Sequence, residues 1–236
     1  MGWFDVDIFK RSVRNIDHPE AQQGVTPNHR VRPLLPAAMR GDHPATDPFL
    51  SSMEDWFPRG VEGQTVHSLQ LWVSLPASQK MSAQRHQDLA GSAMPVRREP
   101  GVEARVFSGA SDGVAASTKN YVPVTMVEFR LEPGAFVRQD LPEDYNTFVV
   151  VLEGSGTTGE EGTKVGAGDV AWLPRGQGAE PSDTRLQAGD EAMPALLYAG
   201  RPLREPVVAG GPFVMNSKEQ IAQAYADYRT GLFRPA

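Results

Sequence analysis

The chain has 236 residues, 40% hydrophobic and 22% charged, with a formal net charge of −6 and no cysteine. That length allows one large or two small domains with a real core. The acidic balance argues against a general nucleic-acid or anionic-membrane binder, and zero cysteines exclude disulfides, thiolate metal sites and cysteine nucleophiles. Asp5, Asp7, Lys10 and Arg11 interrupt the apolar residues of the first turn of sequence, so Met1–Arg11 does not read as a signal peptide. No stretch approaches the roughly eighteen apolar residues of a membrane span. A soluble, cytoplasmic protein is the expectation.

Val6–Ile16 reads as a surface arm or edge element, with a short amphipathic segment as the alternative. Val31–Pro36 reads as a strand interrupted by prolines, at best an edge strand. Residues 37–48 read as a loop, and His43 with Asp42 and Asp47 as a solvated cluster rather than a metal site. Phe49–Gly60 ends in a Pro-Arg-Gly turn signal. In Thr65–Pro76, His67, Leu69, Leu71 and Val73 alternate with Ser68, Gln70, Trp72 and Ser74, which marks a strand with one buried face. His67 on that face reads as a core histidine, because no second histidine or acid nearby shares it. Residues 77–100 form a polar connection without a catalytic pattern. Val102–Ser108 alternates again, and the small-residue loop Gly109–Asn120 is the expected domain boundary, dividing the chain into 1–120 and 121–236.

From Tyr121 the chain becomes strand after strand. Val122–Leu131, Ala135–Leu141, Asn146–Glu153, Lys164–Val165 and Val170–Leu173 are separated by turn residues, with further strands at Arg185–Leu186 and Ala195–Ala199. Short strands at such intervals indicate a sandwich or barrel. The glycine-rich run before Val170 lacks the Lys-Ser/Thr ending of a phosphate loop and reads as a hairpin. A final helix is predicted with Asn216 as its cap and Glu219 in a capping-box relation. Its apolar stripe of Ile221, Ala224, Tyr225 and Tyr228 is expected to face the barrel, and Gly231 to end it. The two tyrosines read as packing residues.

Residues 134–183 carry a signature without its ligands. Gly134, Asp140, Pro142, Thr147 and Gly154, then Gly168, Pro174, Gly176, Ala179 and Asp183, match the spacing of the two cupin motifs. Asp140, Pro142, Thr147 and Ala179 stand where cupins place His, His, Glu and His. A catalytic metal needs about three or four imidazole or carboxylate donors with an open position. These four residues do not supply them, so this half reads as structural.

Four stretches together resemble the pirin family of two-barrel cupins: VRPLLP (31–36), DPFLSSMEDWFPRGV (47–61), HSLQLWVSLP (67–76) and YAGRPLREPVVAGGPFVMNSKEQIAQAYADY (198–228). The resemblance covers most of residues 30–233. It implies a mainly β bicupin of double-stranded β-helix (jelly-roll) barrels. It also implies an Fe(II)-like metal in the N-terminal barrel and none in the C-terminal one. In pirins three histidines and a glutamate, lying between the FPRGV-like turn and HSLQLW, hold that metal. Here Val61 runs almost directly into His67, and roughly fifty residues of strand and turn are missing. No residue of this chain matches any of the four ligands.

The expected fold is therefore an incomplete N-terminal barrel beside an intact C-terminal barrel with its helix. The missing strands leave three outcomes: a smaller sheet capped by residues 1–60, a homodimer through open sheet edges, or an unstable product. The expected function is a binding or regulatory protein that has lost the family's metal site, with no catalytic, cofactor or metal residues of its own. Its partner would be a regulatory protein, with no direct binding of nucleic acid or membrane. The alternative is a metal-dependent quercetin 2,3-dioxygenase-type oxidoreductase with a site reassembled from His29, His43, His67 and nearby acids. A third reading places a small molecule inside the C-terminal barrel.

Overall fold

A computed structural model describes residues 9–23, 30–35, 46–59, 64–83, 85–175 and 182–232. Two short strands, β1 (Phe9–Lys10) and β2 (Asn15–Asp17), form an N-terminal arm. They are followed by β3 (Gln22–Gln23), β4 (Arg30–Pro33), β5 (Phe49–Arg59) and β6 (Gln64–Val73), an antiparallel sheet in that order. Next come β7 (Val96–Glu99), β8 (Val102–Ser108) and a small hairpin of β9 (Ala110–Ser111) and β10 (Val114–Ala115). The barrel continues with β11 (Val124–Leu131), β12 (Phe136–Leu141), β13 (Asn146–Val151) and β14 (Ser155–Thr158). It closes with β15 (Thr163–Gly166), β16 (Val170–Leu173), β17 (Ser182–Ala188) and β18 (Met193–Gly200). A last hairpin, β19 (Val208–Gly210) and β20 (Phe213–Met215), leads into the helix α1 (Lys218–Thr230).

Two sheets make the C-terminal barrel. One has seven strands in the order β2-β16-β13-β18-β11-β8-β7; the other joins β1, β17, β14 and β15, with β12 also paired to β17. The inner face follows from period-2 alternation. Val102, Ala104 and Val106 of β8, and Ser182, Thr184 and Leu186 of β17, are buried while their neighbours are half-exposed. Between the sheets lies a core that includes Val127, Phe129, Val137, Val149, Leu186 and Leu197. The glycine-rich run is a hairpin, β14 pairing antiparallel with β15. The expected boundary at Gly109–Asn120 falls between β8 and β11, which pair from Val102↔Leu131 to Ser108↔Met126. A division there passes through one sheet.

Strands β13 and β16 break the alternation because they are buried on both faces. Their outer residues, Phe148, Val150, Val170 and Trp172, join Leu34, Leu35, Phe49, Leu196 and Tyr198 in a second core. Leu69, Leu71 and Val73 of β6 pack against it, as their alternation predicts. Among the described residues, β3–β6 thus form a single sheet laid on the outside of the barrel. Strands β3 and β4, from residues 22–33, join β5 and β6 in one antiparallel sheet. The expectation of an edge strand at Val31–Pro36 is corrected, since β4 is paired on both sides. Pro33 is tolerated at its last position, where the strand ends.

The helix differs from its reading in two details. Its N-cap is Ser217, not Asn216, and the Ser217 hydroxyl accepts from the Gln220 backbone N–H at 3.3 Å. Gln220 reaches back to the Asn216 N–H at 2.9 Å. The stripe contacts the β19–β20 hairpin: the Phe213 ring meets those of Tyr225 and Tyr228 edge-on at 5.1 and 6.2 Å. Gly231, in the left-handed conformation at φ 81°, ends α1 as predicted.

Candidate functional site

Three of the four cupin slots are described, and each has a structural partner; Ala179 lies outside the described residues. Asp140, at the exposed end of β12, accepts the Asp112 N–H at 2.8 Å. That bond steadies Asp112, a non-glycine residue at φ 43°. Pro142 and Thr147 flank the turn from β12 to β13, and both face Arg11.

Arg11 was read only as part of a surface arm. It is completely buried. A guanidinium has five N–H donors in a planar fork, and every one is matched. Nε donates to Ser182 Oγ at 3.1 Å, and Nη1 to the Tyr145 carbonyl at 2.8 Å and Thr147 Oγ1 at 3.0 Å. Nη2 donates to the carbonyls of Pro142 at 2.7 Å and Glu143 at 3.0 Å. Burial pulls the pKa down to about 10, against the opposing pull of Asp144 and Glu143, which leaves the group cationic at neutral pH. The signal for it in the sequence is an arginine in period-2 register with Phe9 and Val13, the apolar face of an arm strand.

These slots do not fit a divalent metal. Thr147 Oγ1 and the Pro142 carbonyl are engaged by a fixed positive charge, which repels a second cation in a low-dielectric interior. Among the described residues no group of three or more His, Asp or Glu side chains is placed to hold a metal ion. The barrel core is largely apolar, with Val127, Phe129, Val149 and Leu197 among its buried side chains. A depression of about 540 Å³ is lined by residues including Tyr121, Thr125, Asp140 and Tyr145.

In the N-terminal sheet, β5 and β6 pair without a gap from Ser51↔Trp72 to Arg59↔Gln64, with His67 opposite Trp56. His29, His43 and Asp42 lie outside the described residues. The Asp47 carboxylate accepts the Arg204 N–H at 2.7 Å, and its carbonyl accepts from Asn146 Nδ2. The two remaining histidines pair with single acids, His18 with Asp169 and His86 with Asp88.

The stretch around Arg204 joins the two halves and the tail. The Glu205 carboxylate accepts the Ala77 N–H at 2.7 Å and Asn216 Nδ2 at 3.2 Å. Lys80 donates to Ser74 Oγ and the Leu75 carbonyl, both at 2.8 Å. Burial lowers its pKa, opposed by Glu205 and Asp47.

Paired jelly-roll sheets, glycine turns in cupin spacing and an N-terminal sheet on the barrel's outer face define a two-part cupin. A family model described as the pirin C-terminal cupin domain matches residues 126–234. Human pirin is 33% identical over 168 residues, covering 70% of this chain and 57% of pirin. A pirin-like protein from Solanum lycopersicum is 34% identical over 168 residues, covering 71% of this chain and 56% of the relative. A protein named putative quercetin 2,3-dioxygenase from Pseudomonas aeruginosa is 34% identical over 174 residues, covering 72% and 58%. This chain belongs to the pirin family. It spans little more than half the length of these relatives.

Solved structures agree on the fold. GK1651 from Geobacillus kaustophilus matches with a TM-score of 0.78 and 36% identity, over 85% of this chain and 100% of that one. A quercetin 2,3-dioxygenase from Acinetobacter baumannii superposes with a TM-score of 0.79 at 21% identity, over 95% and 99%.

Proposed function

We propose that this chain is a metal-free, non-catalytic member of the pirin family that acts as a binding or regulatory protein in the cytoplasm. One observation carries the reading: β5 and β6 are bonded as neighbours up to Arg59↔Gln64, with only residues 60–63 between them. The ligand-bearing segment of the family would enter at that connection. Oxygen activation requires a metal with open coordination positions and donors to hold it. Neither the barrel slots nor the described part of the N-terminal sheet offers such a donor set.

The competing reading is a quercetin 2,3-dioxygenase, favoured by the names of the Pseudomonas and Acinetobacter relatives. Elemental analysis of the purified chain, followed by quercetin turnover with added Fe(II), separates the two. The expected outcome is substoichiometric metal and no turnover. Tightly bound stoichiometric metal overturns the proposal.

A homodimer belongs to the same reading. Strand β6 terminates its sheet, with one hydrogen-bonded neighbour among the described residues, and is ten residues long. A free edge of that length is a template for strand pairing. Sedimentation is expected to give a dimer, and a compact stable monomer argues against pairing through β6.

A further inference from the structure

Residues 9–18 lie on the C-terminal barrel as an extended peptide lies on a receptor. Main-chain pairing is sparse: β1 offers two residues to β17 and β2 three to β16. Three further main-chain bonds link Arg11 to Asp183 at 2.9 Å, Arg11 to Glu160 at 3.0 Å and Arg14 to Trp172 at 2.7 Å. Side chains add the rest. Val13 and Ile16 pack on the barrel core, Asp17 accepts from Trp172 Nε1 at 2.9 Å, and Lys10 pairs with Glu160 at 3.5 Å. Gly159 leaves room for the segment, since a Cβ there would stand 2.9 Å from the Val13 nitrogen.

The acceptors around Arg11 belong to the barrel and are organised by it. Tyr145 N–H bonds to the Pro142 carbonyl at 3.2 Å, closing the turn that presents three of the five oxygens. The Ser182 hydroxyl proton goes to the Leu141 carbonyl at 2.8 Å, which leaves its oxygen free to accept from Nε. Carbonyl and hydroxyl oxygens in this planar arrangement suit a guanidinium and not a spherical ammonium. The carboxylates of Glu143 and Asp144 add a field that favours a cation.

We propose that this groove is a docking site for an extended, arginine-bearing peptide segment, occupied in this structure by the chain's own residues 9–18. The cage is its specificity pocket, and strand addition to β17 and β16 supplies the sequence-independent part of binding. The segment it selects carries an arginine, a branched apolar residue two positions on and another five positions on, as Arg11, Val13 and Ile16 do here. The inference is independent of whether the N-terminal half holds a metal.

The test uses the full chain carrying Arg11→Ala, which vacates the cage, and a fluorescent peptide of residues 9–18. Anisotropy is expected to show binding to the variant and not to the unsubstituted protein, whose groove is filled. The same peptide with alanine at the Arg11 position is expected to bind about tenfold more weakly or worse, the effect of losing charged hydrogen bonds. Equal binding of the two peptides, or no binding to a folded variant, overturns the proposal. Should the variant not fold, the unsubstituted protein decides. Its Arg11 side-chain N–H protons are expected to exchange with solvent far more slowly than those of free arginine, and exchange as fast as in free arginine rejects the cage.

Discussion

The two halves of this chain cover an apolar sheet face in different ways. The C-terminal barrel closes on itself: two sheets bury Val127, Phe129, Val149 and Leu197 between them. Among the described residues the N-terminal sheet has no second sheet of its own. Leu34, Leu35 and Phe49, with Leu69, Leu71 and Val73 of β6, pack against Phe148, Val150, Val170, Trp172, Leu196 and Tyr198, which are the outward side chains of the barrel. One half therefore owns its core and the other shares one. A sheet can persist on a barrel that offers a large apolar face, and its stability is then set by that face.

Removing the shared face breaks this comparison most severely. Phe148 is fully buried, stacked on Tyr198 at 4.8 Å, tilted against Trp172 at 5.1 Å and edge-on to Phe49 at 5.3 Å. Phe148→Ala is expected to cost about 3–5 kcal/mol. The loss should fall unevenly: hydrogen exchange is expected to rise in β5 and β6 well before β11 and β8. Uniform loss of protection in both halves would mean that the N-terminal sheet and the barrel share a single cooperative unit.

Next in size is the arm. Arg11→Ala removes five hydrogen bonds; the Pro142 carbonyl keeps the Tyr145 N–H, and buried acceptors left without partners cost about 1–3 kcal/mol each before relaxation and water entry. A net loss of about 3 kcal/mol is expected, read by urea unfolding of the barrel. Arg11→Lys should recover only part of it, because an ammonium has three donors and no planar fork. Full recovery by lysine would show that charge alone matters at this position.

How much of this was legible beforehand depends on the range of the interaction. Strand bounds at Val102–Ser108 and Val170–Leu173, the glycine-rich hairpin and the stop at Gly231 were readable because period-2 patterns and turn residues are local signals. The cupin spacing located Asp140, Pro142 and Thr147 in the chain. It could not reveal their partners, because Arg11 and Thr147 are 136 residues apart. Phe148 and Val150 look like ordinary alternating strand residues until the second core is known. The strand β7 was missed because Val96–Glu99 is three parts charged, with Arg97 tucked beside Glu99 and Ser111.

The motif that best marks the family also becomes intelligible only in three dimensions. Glu205 and Asn216 stand 11 residues apart and meet at 3.2 Å, while Glu205 holds the Ala77 N–H. Asn216 also donates to the Pro206 carbonyl at 2.9 Å. Asn216→Ala is expected to cost about 1–2 kcal/mol and to loosen β19, β20 and α1 together, with the barrel unchanged. Loss of protection confined to α1 would show that Asn216 acts on the helix only.

The smallest expected effect concerns the start of α1. The Ser217 hydroxyl and the Glu219 backbone N–H, both hydrogen-bonded to the Glu219 carboxylate, hold its pKa below the usual 4.5. A carboxylate in the first turn also complements the helix dipole. Because the folded-state pKa is depressed, its contribution is present above the unfolded value and disappears as pH falls through the folded one. Titrating the Glu219 side chain by NMR should give a midpoint below 4.5, with protection of the Lys218–Gln220 amides declining over the same range. Glu219→Gln should abolish that pH dependence and leave the Ser217 cap in place, since the cap bonds to the Gln220 N–H. A midpoint at or above 4.5 would mean that the carboxylate stands free in solvent, and that Ser217 alone starts the helix.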